Sequence, residues 1–161
     1  MRLEAHHLNE TPTHPPETIR LILGGKEPRI WFVTPETTVF DAIAMMDEKG
    51  VGALLVMDGQ RLAGIISERD YARKVILKGR SSRDSRVEEI MTARVITISP
   101  EQTSTEGMRL MTEFRVRHLP VVEGTTVIGI VSIGDLVRSV LSTQQQAIEH
   151  LNSYITGTYP A

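Results

Sequence analysis

Apolar positions along this chain follow two rhythms, helical and extended, and the same succession of rhythms occurs twice. Thr18-Ile-Arg-Leu-Ile-Leu23 is apolar at helical spacing and stops at Gly24-Gly25, which predicts a short helix with a glycine C-cap. Ile30-Trp-Phe-Val33 predicts a short extended segment, ended by Pro35, which opens a turn. Thr38 is a candidate N-cap for an amphipathic helix over 39–49, with Ala42, Met45 and Met46 on one face. The apolar runs 53–57 and 62–66 predict two buried strands joined by a hairpin at Asp58-Gly59. A last helix begins at Ser67.

The second half repeats this order. Residues 86–91 match the leading helix, and Val95-Ile-Thr-Ile98 matches the extended segment before Pro100. Thr103 would cap a helix over 104–115 with Met108 and Met111 on its face. Runs 118–122 and 127–131 flank a hairpin at Glu123-Gly124, and a last helix begins at Ser132. Residues 35–75 fall on 100–140 without a gap, each position n on n + 65, with roughly 15 of about 41 positions identical. The leading helices are instead offset by 68, so the first copy carries about three extra residues within 24–29, a longer loop. Each copy reads β-α-β-β-α. A repeat of this size is one unit that cannot bury its apolar face alone. The expected fold is therefore of the mixed α/β (α+β) class, two repeats packed with pseudo-two-fold symmetry and clefts where they meet.

The boundaries expected from this pattern are a mobile N-terminal tail over 1–16, repeat 1 over 17–78, a polar linker over 79–86, repeat 2 over 87–141 and a C-terminal helical extension over 142–161. The extension carries Leu141, Ile148, Leu151 and Ile155 at broadly helical spacing, with Gln144, Gln145 and Gln146 facing solvent. It packs either on a partner or back on the domain.

Composition narrows the function classes. The 161 residues are 40% apolar with a formal net charge of −2, which argues against a dedicated nucleic-acid binder. The absence of cysteine excludes disulfides, thiolate metal sites and a cysteine nucleophile. No apolar run reaches membrane-spanning length and the N-terminus lacks the apolar core of a signal peptide, so the default expectation is a cytoplasmic protein with no membrane partner. Gly24-Gly25-Lys26 lacks the full phosphate-loop spacing, His118 and His150 are isolated, and no catalytic arrangement is suggested by local motif. No enzyme activity and no metal site are expected.

Ile90-Met-Thr-Ala-Arg-Val-Ile-Thr-Ile-Ser-Pro100, Arg117-His-Leu-Pro-Val-Val122 and the two endings Gly64-Ile-Ile-Ser-Glu-Arg-Asp70 and Gly129-Ile-Val-Ser-Ile-Gly-Asp135 resemble the CBS domain. The tandem resembles a CBS pair, or Bateman module, of the stand-alone type, over about residues 18–140. The resemblance implies a regulatory protein that binds an adenosyl ligand in inter-repeat clefts. AMP is the first expectation, and ADP, ATP, NAD(H) or S-adenosylmethionine are the others. It also implies a homodimer that signals to a regulated protein. The alternative is a ligand-free dimeric interaction module that docks on an enzyme or redox protein.

Ser67-x-x-Asp70 and Ser132-x-x-Asp135 each stand where a strand hands over to a helix. One reading is a capping box, in which the serine caps the helix and the aspartate reaches back to the cap N–H. The other is a ribose site, since a carboxylate accepts from both ribose hydroxyls and a helix N-terminus suits phosphate. The resemblance assigns Asp70 and Asp135 to ribose, and Ser67 and Ser132 to ribose or phosphate. It assigns Arg117 and His118 to phosphate. Copy one has Gly52 and Ala53 at those two positions, and instead offers Arg69, Arg73 and Lys74. The adenine slot of the family falls on Val33, Thr34, Pro35, Val51 and Ala53 in one copy and on Thr97, Ile98, Pro100 and Val116 in the other. Because Ser and Asp persist while the basic residues differ, the two clefts are expected to bind unequally or to prefer different adenosine ligands.

Overall fold

The computed structural model describes residues 15–27 and 29–156; most of the predicted N-terminal tail and the last five residues of the extension lie outside them. The elements run α1 (Ile19–Gly24), β1 (Phe32–Val33), α2 (Val39–Lys49), β2 (Ala53–Asp58), β3 (Arg61–Ser67), α3 (Glu68–Tyr71), a π-helical turn (Ala72–Ile76), α4 (Val87–Ile90), α5 (Ser104–Phe114), β4 (His118–Glu123), β5 (Thr126–Ser132) and α6 (Ile133–Thr156). Repeat 1 builds a three-stranded sheet, β1 parallel to β2 and β2 antiparallel to β3; repeat 2 builds the β4–β5 hairpin. Thr38 and Thr103 cap α2 and α5 as their positions predict, each hydroxyl accepting an N–H from three residues on. α1 ends at Gly25, whose backbone is right-handed helical rather than left-handed.

Repeat 2 lacks the predicted strand over 95–98; only a parallel bridge between Ile98 and Val121 remains. The cause is Pro120. In repeat 1 the Leu55 N–H donates to Trp31 O at 3.4 Å. The residue that corresponds to Leu55 is Pro120, which has no N–H to give, so the ladder cannot extend back toward Ile96.

Each repeat's leading helix sits in the other repeat's core. Ile19 and Ile22 of α1 pack with Ile98, Met111, Leu119, Val121, Val131 and Leu136. Val87 and Ile90 of α4 pack with Val33, Val39, Met46, Leu54, Val56 and Ile66. The backbone repeats this exchange bond for bond. Ile19 N–H donates to Gln102 O at 2.8 Å and Val87 N–H to Thr37 O at 2.8 Å. Ser104 N–H donates to Glu17 O at 2.8 Å and Val39 N–H to Ser85 O at 2.9 Å. Free donors at the starts of α2 and α5 are thereby satisfied from the chain entering α4 and α1. The crossing requires a bare backbone where each helix end meets a sheet. A Cβ at Gly64 would lie 2.7 Å from Met91 Sδ, and one at Gly129 would lie 2.8 Å from Leu23 Cδ2. Trp31 packs against the repeat 1 core with Lys49 Nζ 4.5 Å from its ring, so it is a core-edge residue.

Candidate functional site

The exchange of leading helices brings the end of β3 against the segment after α4 and the start of β4. Between them lies a cleft of about 340 Å³. Ser67 and Asp70 form one wall, Thr92, Arg94, Val95 and Ile96 a second, and Arg115, Val116, Arg117 and His118 a third. Of the residues predicted for the site, Ser67, Arg69, Asp70, Val116, Arg117 and His118 meet here.

Capping boxes are present in both copies. Asp70 Oδ2 accepts from the Ser67 N–H and hydroxyl, each at 3.0 Å, and Ser67 Oγ accepts from the Asp70 N–H at 3.3 Å. Asp135 Oδ2 accepts from the Ser132 N–H at 2.8 Å, and Ser132 Oγ accepts from the Asp135 N–H at 3.3 Å. Beyond the caps the two carboxylates differ. Asp70 Oδ1 pairs with Lys74 at 2.9 Å, and its side chain keeps 13% exposure on the cleft wall. Asp135 is held by Lys26 on Oδ2 and by Arg138 on Oδ1, both at 2.6 Å, with its side chain 5% exposed. Lys26 also donates to Ile130 O at 3.1 Å. It comes from the longer loop of the first copy, and its counterpart in repeat 2 at the 68-residue offset is Arg94, an exposed residue of the open cleft.

The open cleft gathers Arg69, Arg73, Arg94, Arg115 and Arg117 against two carboxylates, Glu68 and Asp70, in a chain whose formal net charge is −2. Arg115 caps α5 in the left-handed conformation, φ 53°, where the first copy has Gly50, φ 65°. Arginine thus occupies a position that favours glycine, and its carbonyl accepts from Arg69 Nη1 at 3.0 Å. Burial pushes the His118 imidazole below its usual pKa, with Lys26 and Arg117 acting in the same direction against Asp135. With its pKa lowered in this way, the imidazole is largely neutral near pH 7.

Several predicted adenine-slot residues lie elsewhere. Val33, Ala53, Ile98 and Pro100 are buried, Val51 packs against the repeat 1 core, and Thr34 and Thr97 are exposed outside the cleft. The Thr34 N–H donates to Thr37 Oγ1, and Pro35 O accepts from the Glu88 N–H. Walls that sequence reasoning did not assign are Ile65, Glu68, Thr92, Arg94, Val95, Ile96 and Arg115. Arg94 stood within the quoted run from Ile90 to Pro100, three residues before the nominated Thr97. Among the described residues no group of His, Asp and Glu could hold a metal, and no helix is long and apolar enough to cross a membrane.

Comparison with known proteins gives a consistent result. The family model described as the CBS domain matches residues 27–76 and 87–142. The chain is 46% identical over 135 residues to the CBS domain-containing protein CBSX3, mitochondrial, of Arabidopsis thaliana, spanning 81% of this chain and 65% of that one. A candidate signal-transduction protein with CBS domains from Burkholderia ambifaria MC40-6 superposes with a TM-score of 0.77 at 55% identity, over 78% of this chain and 95% of that one. The CBS domain pair of protein MJ0100, solved with 5′-methylthioadenosine and S-adenosyl-L-methionine, superposes with a TM-score of 0.68 at 26% identity, over 77% of this chain and 95% of that one. The chain thus spans just under two thirds of its plant relative.

Proposed function

This chain belongs to the CBS-domain family, and we propose that it is a regulatory protein that takes an adenosyl ligand in the Asp70 cleft and passes its occupancy to another protein. The carrying observation is the meeting of Asp70 with five arginines in one cleft. The carboxylate suits a ribose diol, and the guanidinium forks suit phosphate oxygens. The ligand class is an adenosyl compound that carries phosphate, AMP first, then ADP, ATP and NAD(H). S-adenosylmethionine brings a cation in place of phosphate and fits this charge less well. Ser67, Arg117 and His118 would border the ribose and phosphates, and Val116 and Ile96 the base. The protein works as a cytoplasmic homodimer without catalysis of its own.

Binding alters the protein's state only through a difference in affinity between its conformations. The cleft offers a place for that difference, because its walls belong to both repeats. Calorimetric titration with AMP, ADP, ATP, NADH and S-adenosylmethionine tests the reading, repeated on Arg117→Ala. Heat and thermal stabilisation with a phosphate-bearing ligand, weakened at least tenfold in the variant, are expected. No heat with any of the five would remove it.

A second reading has its own support. Both Ser–Asp pairs form complete capping boxes without a ligand. A ligand-free interaction module needs nothing more from them. Under that reading no adenosyl ligand changes the melting temperature.

A further inference from the structure

The two copies hold their motif carboxylates with different basic residues. In repeat 2 the cation three residues on, Arg138, donates to Asp135 Oδ1 at 2.6 Å. Its counterpart at the 65-residue offset is Arg73, which is exposed and lines the open cleft rather than pairing with Asp70. Asp70 Oδ1 is held instead by Lys74, four residues on, at 2.9 Å. The residue that corresponds to Lys74 is Ser139, whose hydroxyl donates to Glu17 Oε2 at 2.6 Å. The backbone explains the exchange. Residues 72–76 form a π-helical turn, closed by the Leu77 N–H on Ala72 O at 3.1 Å, five residues back. The matching stretch of α6 is α-helical. In an α-helix the third residue on stands about 60° short of the starting residue, and the fourth about 40° past it. A wider turn makes both lag in rotation, so the fourth comes over the first and the third is carried away from it. Lys74 therefore overlies Asp70, and Arg73 is left to the cleft.

Lys74 is anchored from a second side as well. Its ammonium donates to Ile90 O at 2.8 Å, and Ile90 is the last residue of α4. One side chain thus ties the Asp70 wall of the cleft to the helix end that leads into the Thr92 wall. Lys74 itself does not line the cleft. We propose that Lys74 is a positioning residue for phosphate recognition: by occupying Asp70 Oδ1 it keeps the Arg73 guanidinium off that carboxylate and free for the phosphate oxygens of a ligand. Without Lys74, Arg73 closes on Asp70 as Arg138 closes on Asp135, and the cleft loses one fork of donors. The second copy shows that closed arrangement, and there the aspartate side chain is only 5% exposed. The inference rests on the phosphate-bearing adenosyl ligand of the reading above, and adds a residue outside the cleft that sets its affinity.

A double-mutant cycle on the full chain tests it. Wild type, Lys74→Ala, Arg73→Ala and the double variant are each titrated by calorimetry with AMP, ADP, ATP and NADH. Arg73→Ala is expected to weaken binding about tenfold, the loss of one charge-assisted contact. Lys74→Ala should weaken it by a similar factor, although Lys74 does not line the cleft. The double variant should bind no more weakly than Arg73→Ala alone, because Lys74 acts only through Arg73. A merely structural role for Lys74, or its direct contact with the ligand, would make the two losses multiply, and that result overturns the proposal. Lys74→Ala binding as tightly as the wild type overturns it too. In both cases the wild type still binds, so the ligand reading stands. A wild type that binds none of the four removes the phosphate-bearing reading and this inference with it.

Discussion

Lys26 Nζ stands 2.6 Å from Asp135 Oδ2, and with it the loop of the first repeat closes the second copy of the Ser–Asp motif. The pseudo-symmetric partner, Asp70, faces an open cleft instead. One chain therefore carries the same local motif in two states. The three extra residues of the first copy lie in the loop that supplies the plug.

Replacing Lys26 by Ala is expected to leave Asp135 with Arg138 and its cap, and to lower stability by roughly 1–2 kcal/mol, since Lys26 is partly exposed. Under the proposed function it should also raise the ligand stoichiometry above one per chain, read by calorimetry. A stoichiometry of one in both proteins would mean that Lys26 is not what keeps the second position shut.

Asp70 separates the cap from the ligand role. As a cap it accepts from the Ser67 N–H and hydroxyl. Asp70→Ala should therefore cost roughly 0.5–2 kcal/mol in the absence of nucleotide. If Asp70 also holds a ribose, the variant loses the nucleotide-dependent rise in melting temperature. An equal rise in wild type and variant would reduce Asp70 to a cap.

The local script of this fold was legible because it is written in neighbouring residues: Thr38 and Thr103 before their helices, glycine at both hairpins, Ser–Asp at both strand ends. What failed depends on residues far apart in sequence. The strand over 95–98 is lost to Pro120, which lies across the sheet. The exchange of leading helices leaves no local trace except Gly64 and Gly129, whose missing side chains make room for Met91 and Leu23. The longer loop over 24–29 could be counted from the offset, but its engagement with Asp135 could not. Arg115 was hidden for a different reason: the repeat register sets it opposite Gly50, but an arginine does not itself announce a φ of 53°.

Arg115 predicts a trade between stability and binding. A left-handed arginine costs about 1 kcal/mol relative to glycine at such a position. Arg115→Gly should hold or raise the melting temperature, because the carbonyl that accepts from Arg69 is kept. It should also weaken phosphate-bearing ligands several-fold. A variant that melts lower and binds as tightly would place Arg115 in the scaffold rather than the cleft.

The exchanged helices should make the two repeats unfold together. Ile19 is fully buried in the repeat 2 core although it belongs to the leading helix of repeat 1. Ile19→Ala is expected to cost about 2–5 kcal/mol. One denaturation transition, shifted as a whole, is the expected result. Two resolved transitions, one of them unmoved, would show that the cores are independent.

Acid should destabilise this protein in two stages. Burial lowers the His118 pKa, so the unfolded chain takes up that proton first. The stability belonging to neutral His118 is present above about pH 6.5, the unfolded value, and is lost as pH falls through the depressed folded value. For Asp135, burial pushes upward, but the hydrogen bonds from Lys26 and Ser132 and the charge of Lys26 together hold the carboxyl below its ordinary range. Its contribution is present above about pH 3.9 and is lost as pH falls through the lower folded value. Melting temperature should therefore decline first between neutrality and mild acid, then again in strong acid. His118→Gln, which cannot take up a proton, should flatten the first decline and leave the second. Lys26→Ala should move the second decline to higher pH, because Asp135 then binds its proton more readily. A first decline of equal size in His118→Gln would trace the acid sensitivity to some other group.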